Sequence, residues 1–243
     1  MAEVIVLQHI HCETLGIIEQ VLTGAGMTPR GVQVFAGEEV PRRMGPAAGL
    51  IVLGGPMSVY EQTRYPHLVQ EMHLIDRAVK DEVPVLGICL GSQLLAAVLG
   101  AEVRRGPRRE LGWHPVTLDE LAGADAVFGA ALEAAGGPTF EAFHWHGDVF
   151  ALPAGAISLA SSGATVCQAF AYGRNAYGML CHLEVTARIV QDLVGAFGAE
   201  LAAEGQEAAA VLEGANAHLE RLNHVGRAAY LAWAALALER AAG

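Results

Sequence analysis

The chain lacks an apolar run long enough to cross a membrane. Its longest aliphatic run, Ala228 to Leu238, is about half of the ~20 residues a spanning helix needs, and it reads as a packed helix. Positive charge is scarce: 15 Lys and Arg stand against 26 Asp and Glu, for a formal net charge of −11 and a pI near 5.3. A nucleic-acid backbone needs a basic face, so nucleic acid is not an expected partner. The four cysteines, at 12, 89, 167 and 181, contain no C-x-x-C pair. That speaks against a zinc knuckle or a thioredoxin-like couple and for reduced thiols. No basic leader precedes Val4-Ile5-Val6-Leu7, so no secretory signal is expected and a cytoplasmic location is. Internal repeats and low-complexity linkers are also missing from the sequence.

What remains is a compact globule with a substantial core: 243 residues, 53% hydrophobic and only 17% charged. Strand-like runs at Val4–Leu7, Gln33–Phe35, Leu50–Leu53 and Val85–Ile88 alternate with helical patterns near 13–25, 65–80 and 92–99. Apolar strands separated by helices imply a parallel sheet covered on both faces. Gly100–Val103, His114–Leu118, Ala156–Leu159, Val166–Ala171 and Tyr177–Cys181 read as shorter strands, some antiparallel. The expected class is α/β: a flavodoxin-like three-layer α/β/α sandwich with a mainly parallel central sheet, a small added β region and a C-terminal helical extension. The organisation expected is a domain over 1–190 and the extension over 191–243, broken near Gly205. Leu212, Leu219, Leu222, Val225, Tyr230, Trp233 and Leu236 recur at three- and four-residue steps. Such a helix packs on its own domain, or else forms a homodimer or partner interface.

Val83 to Gln93 is an apolar strand running through Gly87-Ile88-Cys89-Leu90-Gly91 into an apolar helix. This is a nucleophile elbow with cysteine in the serine position: a sharp turn pushes the side chain out of the sheet, and flanking glycines remove Cβ atoms that would clash. Cys89 also sits at the positive end of the following helix dipole, which favours thiolate. Taken alone, a cysteine in apolar surroundings is a core residue. A nucleophile needs a base and a group that orients it. Tyr177 to Thr186 reads as a buried strand ending in His182-Leu183-Glu184, and residues two apart on a strand share a face. His182 and Glu184 therefore complete the three-part set that acyl transfer requires.

With these residues the chain resembles the class I glutamine amidotransferases, most closely the glutaminase part of GMP synthase and its stand-alone relatives. The likeness extends to Leu53-Gly54-Gly55-Pro56-Met57-Ser58-Val59-Tyr60, Glu110-Leu111-Gly112-Trp113, Phe143-His144-Trp145-His146-Gly147-Asp148 and Cys167-Gln168-Ala169-Phe170, in the family's order over residues 1 to 190. The resemblance implies that Cys89 attacks the δ-carbonyl of glutamine, that His182 favours the thiolate and then protonates the departing nitrogen, and that Glu184 holds the imidazole. It implies oxyanion donors on Leu90 and the Gly54-Gly55 turn. Gln93 takes a family position that hydrogen-bonds glutamine, and His144, Trp145, His146, Gly147 and Asp148 match the segment that closes over the substrate's α-amino and α-carboxylate ends. The family's Q-F-H-P-E block is altered here, with Leu180, Cys181 and Leu183 in place of glutamine, phenylalanine and proline. Losing that proline frees a torsion beside the base.

No cofactor is expected. His144 with His146, or His9 with His11 beside Cys12, could be read as metal pairs, but a third ligand at suitable spacing is not evident and no metal is expected. The Leu53-Gly54-Gly55-Pro56 turn lacks the lysine and hydroxyl of a P-loop. Ammonia-accepting chemistry then belongs to a synthetase partner chain or is absent. The Arg104-Arg105-Gly106-Pro107-Arg108-Arg109 cluster reads as a solvated loop, with contact to an anionic acceptor or partner as the alternative. Three functions compete: a glutaminase, a hydrolase of other γ-glutamyl compounds, and a non-catalytic regulatory subunit.

Overall fold

A computed structural model describes residues 2–242. The elements are β1 (Ala2–Gln8), α1 (Ile17–Gly24), β2 (Met27–Gln33), β3 (Gly49–Val52), α2 (His67–Lys80), β4 (Val85–Ile88), α3 (Leu90–Val98), β5 (Val103–Leu118), α4 (Ala126–Ala135), β6 (Thr139–Phe150), β7 (Ala156–Ser162), β8 (Ala169–Tyr172), β9 (Ala176–Met179), α5 (Ala187–Ala203) and α6 (Ala208–Ala242). Nine strands make one sheet in the order β2-β1-β3-β4-β9-β8-β7-β5-β6. From β2 to β9 every pairing is parallel; from β9 to β6 every pairing is antiparallel. The expected α/β sandwich with an added β region is therefore present, the added region being a continuation of the same sheet.

The central strands β3 and β4 are buried at every residue. Helices cover both faces, so these strands are apolar throughout and do not alternate with polar residues. Ile51, Leu86 and Ile88 face one core with residues of α1, α4, α5 and α6; Leu50, Val52 and Val85 face the other with residues of α2 and α3. α6 lies against α1, α4 and α5 and buries Tyr230 and Trp233. A Cβ at Gly49 would come within 2.8 Å of the Trp233 ring, so strand and helix are in direct contact there.

Several elements differ from the sequence expectation. The strand placed at Gln33–Phe35 is β2, which ends at Gln33, while Val34–Ala36 is a 3-10 turn. β2 is a partly exposed edge strand, and an edge accommodates the Pro29 and Gly31 that hide it. Of the strand expected at Gly100–Val103 only Val103 is extended, and it opens a 16-residue strand, β5, that also contains His114–Leu118 and is interrupted in register between Arg105 and Glu110. The arginine cluster thus lies within β5 and is exposed, Arg104 and Arg105 pairing with β6 and Gly106–Arg109 forming the unpaired bulge. The strand carrying the H-x-E pair stops at Met179.

α3 is seated directly on β3: a Cβ at Gly91 would run into the Val52 carbonyl oxygen, a backbone atom that cannot swing away. We expect Gly91→Ala to lower the melting temperature, followed by circular dichroism, by on the order of 10 °C, since overpacking of this kind costs ~3 kcal/mol.

Candidate active site

Cys89 follows β4 and caps α3. Its φ is 49°, one of two positive values at non-glycine residues among the described residues. A left-handed conformation costs an ordinary residue roughly 1–2 kcal/mol, so the surrounding structure must impose it. It does so on both sides. The Cys89 N–H donates to the Met179 carbonyl of β9 at 2.8 Å, and the Cys89 carbonyl accepts from the amides of Ser92 and Gln93 and from Ser92 Oγ at 2.6 Å. A Cβ at Gly87 would sit 2.5 Å from the Gly91 carbonyl oxygen, which is why both elbow glycines are needed. The Cys89 thiol donates a weak hydrogen bond to the Trp145 carbonyl of β6 at 3.7 Å. Burial pushes the thiol pKa up; the neighbouring His182 and the Leu90 N–H act in the opposite direction, and the Glu13 carboxyl adds to the rise.

His182 and Glu184 lie just past β9 in irregular chain. The His182 N–H donates to the Phe143 carbonyl at 2.8 Å, a one-residue bridge onto β6. His182 Nδ1 is 2.6 Å from Glu184 Oε1, and both side chains are buried. Nε2 has no fully formed hydrogen bond, but the ring lies close enough to the Cys89 thiol for each to shift the other's titration. Burial alone lowers the imidazole pKa, yet Glu184 and Cys89 outweigh it and hold it well above the ordinary histidine range. The segment is pinned from α6. Asn223 Nδ2 donates to the Val185 carbonyl at 2.9 Å, a Cβ at Gly226 would approach the Leu183 carbonyl to 2.5 Å, and the Tyr230 hydroxyl lies near Glu184 while donating weakly to Met179 Sδ at 3.9 Å. The bridge to β6 and the α6 contact together restrain the torsions that the missing proline would have limited.

The Gly54-Gly55 turn follows β3 and faces the elbow. His9 Nδ1 donates to the Gly54 carbonyl at 3.0 Å, and its Nε2 lies 2.7 Å from Glu71 Oε2, whose Oε1 receives His67 Nδ1 at 2.8 Å. Burial works against a charged His9, but Glu71 raises its pKa above the ordinary value; the two histidines in turn lower Glu71 against its own burial. His9 is thus held as a cation donating from both nitrogens. Every described peptide bond is trans. With the Gly54 carbonyl turned to His9, the Gly55 N–H of the same peptide plane must point the opposite way.

A cleft of about 430 Å³ opens over Cys89. Gly55, Gln93, Trp145, His146, Gly147 and Asp148 line it, with Glu13 at the thiol end and Arg105, Arg108 and Arg109 at the rim. Gln93 Nε2 donates to the Asp148 carbonyl at 3.2 Å, and Tyr60 donates to Asp148 Oδ1 at 3.2 Å. His144 does not line the cleft; it is fully buried behind it.

The sequence shows no third ligand for the His144–His146 pair, but the fold supplies one. Glu110 from β5 meets both, with the three ligand atoms within 4.8 Å of one another. Their centre is filled. Gln168 Nε2 lies 2.9 Å from Glu110 Oε2, 3.4 Å from His144 Nδ1 and 3.3 Å from His146 Nε2, and Ser162 and Thr165 also bond Glu110. The set closes as a hydrogen-bond network. Burial keeps His144 neutral and depresses His146 to about 4. The other pair diverges, His9 being buried and His11 exposed. Sequence reasoning missed Glu13, Glu71 and Tyr230. The one trace of them was His9, a polar residue ending an apolar strand.

The doubly covered sheet thus ends its central strand β4 in a cysteine elbow beside a buried His–Glu pair. The family model "Glutamine amidotransferase class-I" matches residues 26–194, and the chain belongs to that family. It is 36% identical to the glutamine amidotransferase-like protein YfeJ of Salmonella typhimurium over 197 residues, 80% of each chain. It is 40% identical to the GMP synthase of Leifsonia xyli over 142 residues, 57% of this chain but 26% of that one. It thus corresponds to about a quarter of such a synthase. Solved structures of the same fold include a glutamine amidotransferase from Thermotoga maritima, with TM-score 0.84, 32% identity and coverage of 94% of this chain and 96% of that one. Another, from Methylobacillus flagellatus, has TM-score 0.86, 28% identity and coverage of 96% and 94%. No described helix is long and apolar enough to cross a membrane.

Proposed function

We propose that this chain hydrolyses the side-chain amide of glutamine, or the equivalent bond of a γ-glutamyl compound, through a γ-glutamyl thioester on Cys89. The observation that carries the reading is the meeting, at one corner of the sheet, of a strained cysteine with a buried imidazole whose far nitrogen is fixed by Glu184.

In this reading Cys89 attacks the amide carbon as its proton passes to His182, and Glu184 stabilises the imidazolium that forms. The carbonyl oxygen becomes an oxyanion facing the Leu90 and Gly55 N–H groups. The tetrahedral adduct expels nitrogen as the C–N bond breaks, and His182 donates its proton so that ammonia or an amine departs. Neutral His182 then takes a proton from water, whose oxygen attacks the thioester carbon; the C–S bond breaks, His182 returns the proton to the Cys89 sulfur, and glutamate leaves. Ammonia from glutamine would pass to a synthetase partner chain. Rapid quenching with glutamine followed by peptide mass spectrometry tests the scheme: the expected product is a γ-glutamyl adduct on the peptide carrying Cys89. Free glutamate appearing with no such adduct at any quench time argues against it.

Glu184→Gln keeps the size of the side chain but removes the charge that sustains the imidazolium. The His182 pKa should fall, and turnover should drop by about 10²- to 10⁴-fold. Because the mutant base stays neutral to lower pH, the acid limb of its kcat profile should move down in pH. Steady-state kinetics across pH checks this, and an unmoved limb would separate Glu184 from the base.

A further inference from the structure

We propose that the substrate is a γ-glutamyl compound whose leaving amine carries an anionic group, as in a γ-glutamyl amino acid, and that Arg105 and Arg108 bind that anion at the mouth of the cleft. The proposal rests on the thioester reading above and narrows its substrate.

It starts from the interrupted register of β5. Arg105 pairs with Asp148 and Glu110 with His146, so five residue steps on β5 oppose two on β6. The surplus residues bulge out over Gly147, whose missing Cβ would lie 3.2 Å from Arg109 Cγ. Since Trp145 of β6 receives the Cys89 thiol proton, the bulge stands two residues along the same strand from the nucleophile. Arg105, Arg108 and Arg109 line the same cleft as Cys89.

Charge partners sort these arginines. Arg109 is engaged by Glu200 at 2.9 Å and Glu204 at 3.9 Å. Arg105 and Arg108 have no ion-pair partner among the described residues. Of the other carboxylates lining the cleft, Asp148 is held by Tyr60 and Glu13 lies at the inner end beside Gly54. Two guanidiniums that make no ion pair among the described residues are thus gathered at the entrance to a nucleophile in a chain of net charge −11. The departure of ammonia gives such a pair nothing to bind. A carboxylate on the leaving side does, because guanidinium matches its geometry and charge. At about 430 Å³ the cleft also falls within the ~300–1,000 Å³ typical of sites for larger ligands, leaving room for a residue beyond the glutamyl group.

The reaction balances as before. Cys89 takes the γ-glutamyl group, the C–N bond breaks, His182 protonates the leaving amine, the amino acid departs, and water releases glutamate.

A pair of substrates differing by one charge tests the idea on the full chain: γ-glutamyl-glycine against γ-glutamyl-glycinamide. The acid should be preferred about tenfold or more in kcat/KM at low ionic strength, the preference shrinking with added salt. In the Arg105→Gln/Arg108→Gln variant the ratio should fall to about one, with the melting temperature confirming the fold. Two results would overturn the proposal: no acid preference in the native chain, or a preference that survives the double substitution, whether with activity retained or with equal losses on both substrates. Equal losses would place the arginines on the glutamyl α-carboxylate. Hydrolysis of glutamine with neither dipeptide cleaved also defeats it, while leaving the thioester reading intact. No turnover of any of the three, with Cys89 unlabelled by 6-diazo-5-oxo-norleucine, defeats the thioester reading itself.

Discussion

Replacing Cys89 with alanine should abolish turnover, a loss on the order of 10⁶-fold when a nucleophile is removed, while leaving the fold in place. The contacts that shape the elbow are backbone ones, from the Cys89 N–H to Met179 and from Ser92 and Gln93 back to the Cys89 carbonyl, and alanine retains them. The side chain gives up a weak hydrogen bond to Trp145 and its interaction with the His182 ring. Stability should therefore change by no more than about 1 kcal/mol. The same variant decides which thiol reacts. Burial pushes Cys12 and Cys167 up to about 11 and Cys181 further, so at neutral pH these three stay protonated. Burial raises Cys89 as well, but it has an imidazole beside it that acts to lower it, which the other three lack, and it lines the cleft. Incubation with 6-diazo-5-oxo-norleucine should add one label to the native chain and none to Cys89→Ala. A label on Cys181 or Cys12 in the native chain would reassign the nucleophile.

Substitution of His9, which touches neither nucleophile nor base, should lower kcat by about 10²-fold with little change in KM. This is the scale of losing one oxyanion donor. The His9 N–H holds the Gly54 carbonyl, and the planar peptide carries that orientation to the Gly55 N–H on the other side. His9→Ala releases the turn. It also leaves the buried Glu71 with His67 alone, a loss of ~3–5 kcal/mol typical of a broken buried pair. His9→Asn separates the two effects, since the asparagine amide places a donor where Nδ1 was but cannot reach Glu71. Both variants should lose similar stability, measured by denaturant unfolding, but only His9→Asn should recover most of kcat. Equal activities would mean that the turn does not depend on this bond. The pH dependence has a definite sign. The His9 pKa is raised by folding, so its stabilising contribution is complete below the ordinary histidine value and is lost as pH rises through the folded value. The Glu71 pKa is lowered, so its contribution is lost as pH falls through its folded value.

The elbow was legible because it is local. Strand, glycine, cysteine, glycine and helix are consecutive, and the steric need for each is met within a few residues. β3, β4 and the Val4–Leu7 stretch of β1 were legible for a related reason: strand segments buried on both faces carry no polar side chain, and no tertiary information is needed to see it. β5 was not. Its two prolines and the bulge between Arg105 and Glu110 break any pattern of period two, and the element exists because β6 and β7 pair with it. The H-x-E pair was found by assuming a strand that ends earlier than expected; the two side chains meet because a bridge to β6 and the weight of α6 bend the chain there.

By itself the sequence determined the sheet's core, the cysteine corner and the residues proposed as base and carboxylate partner, since each depends on residue type and near-neighbour spacing. The tertiary structure decided what lies next to them. It brought His9 with Glu71 behind the Gly54-Gly55 turn, Tyr230 against Glu184, Gln168 into the centre of Glu110, His144 and His146, and two unpaired arginines to the rim. The hydrogen bonds among these join residues 22 to 62 positions apart, and a polar residue buried by a distant element carries no local mark of its partner.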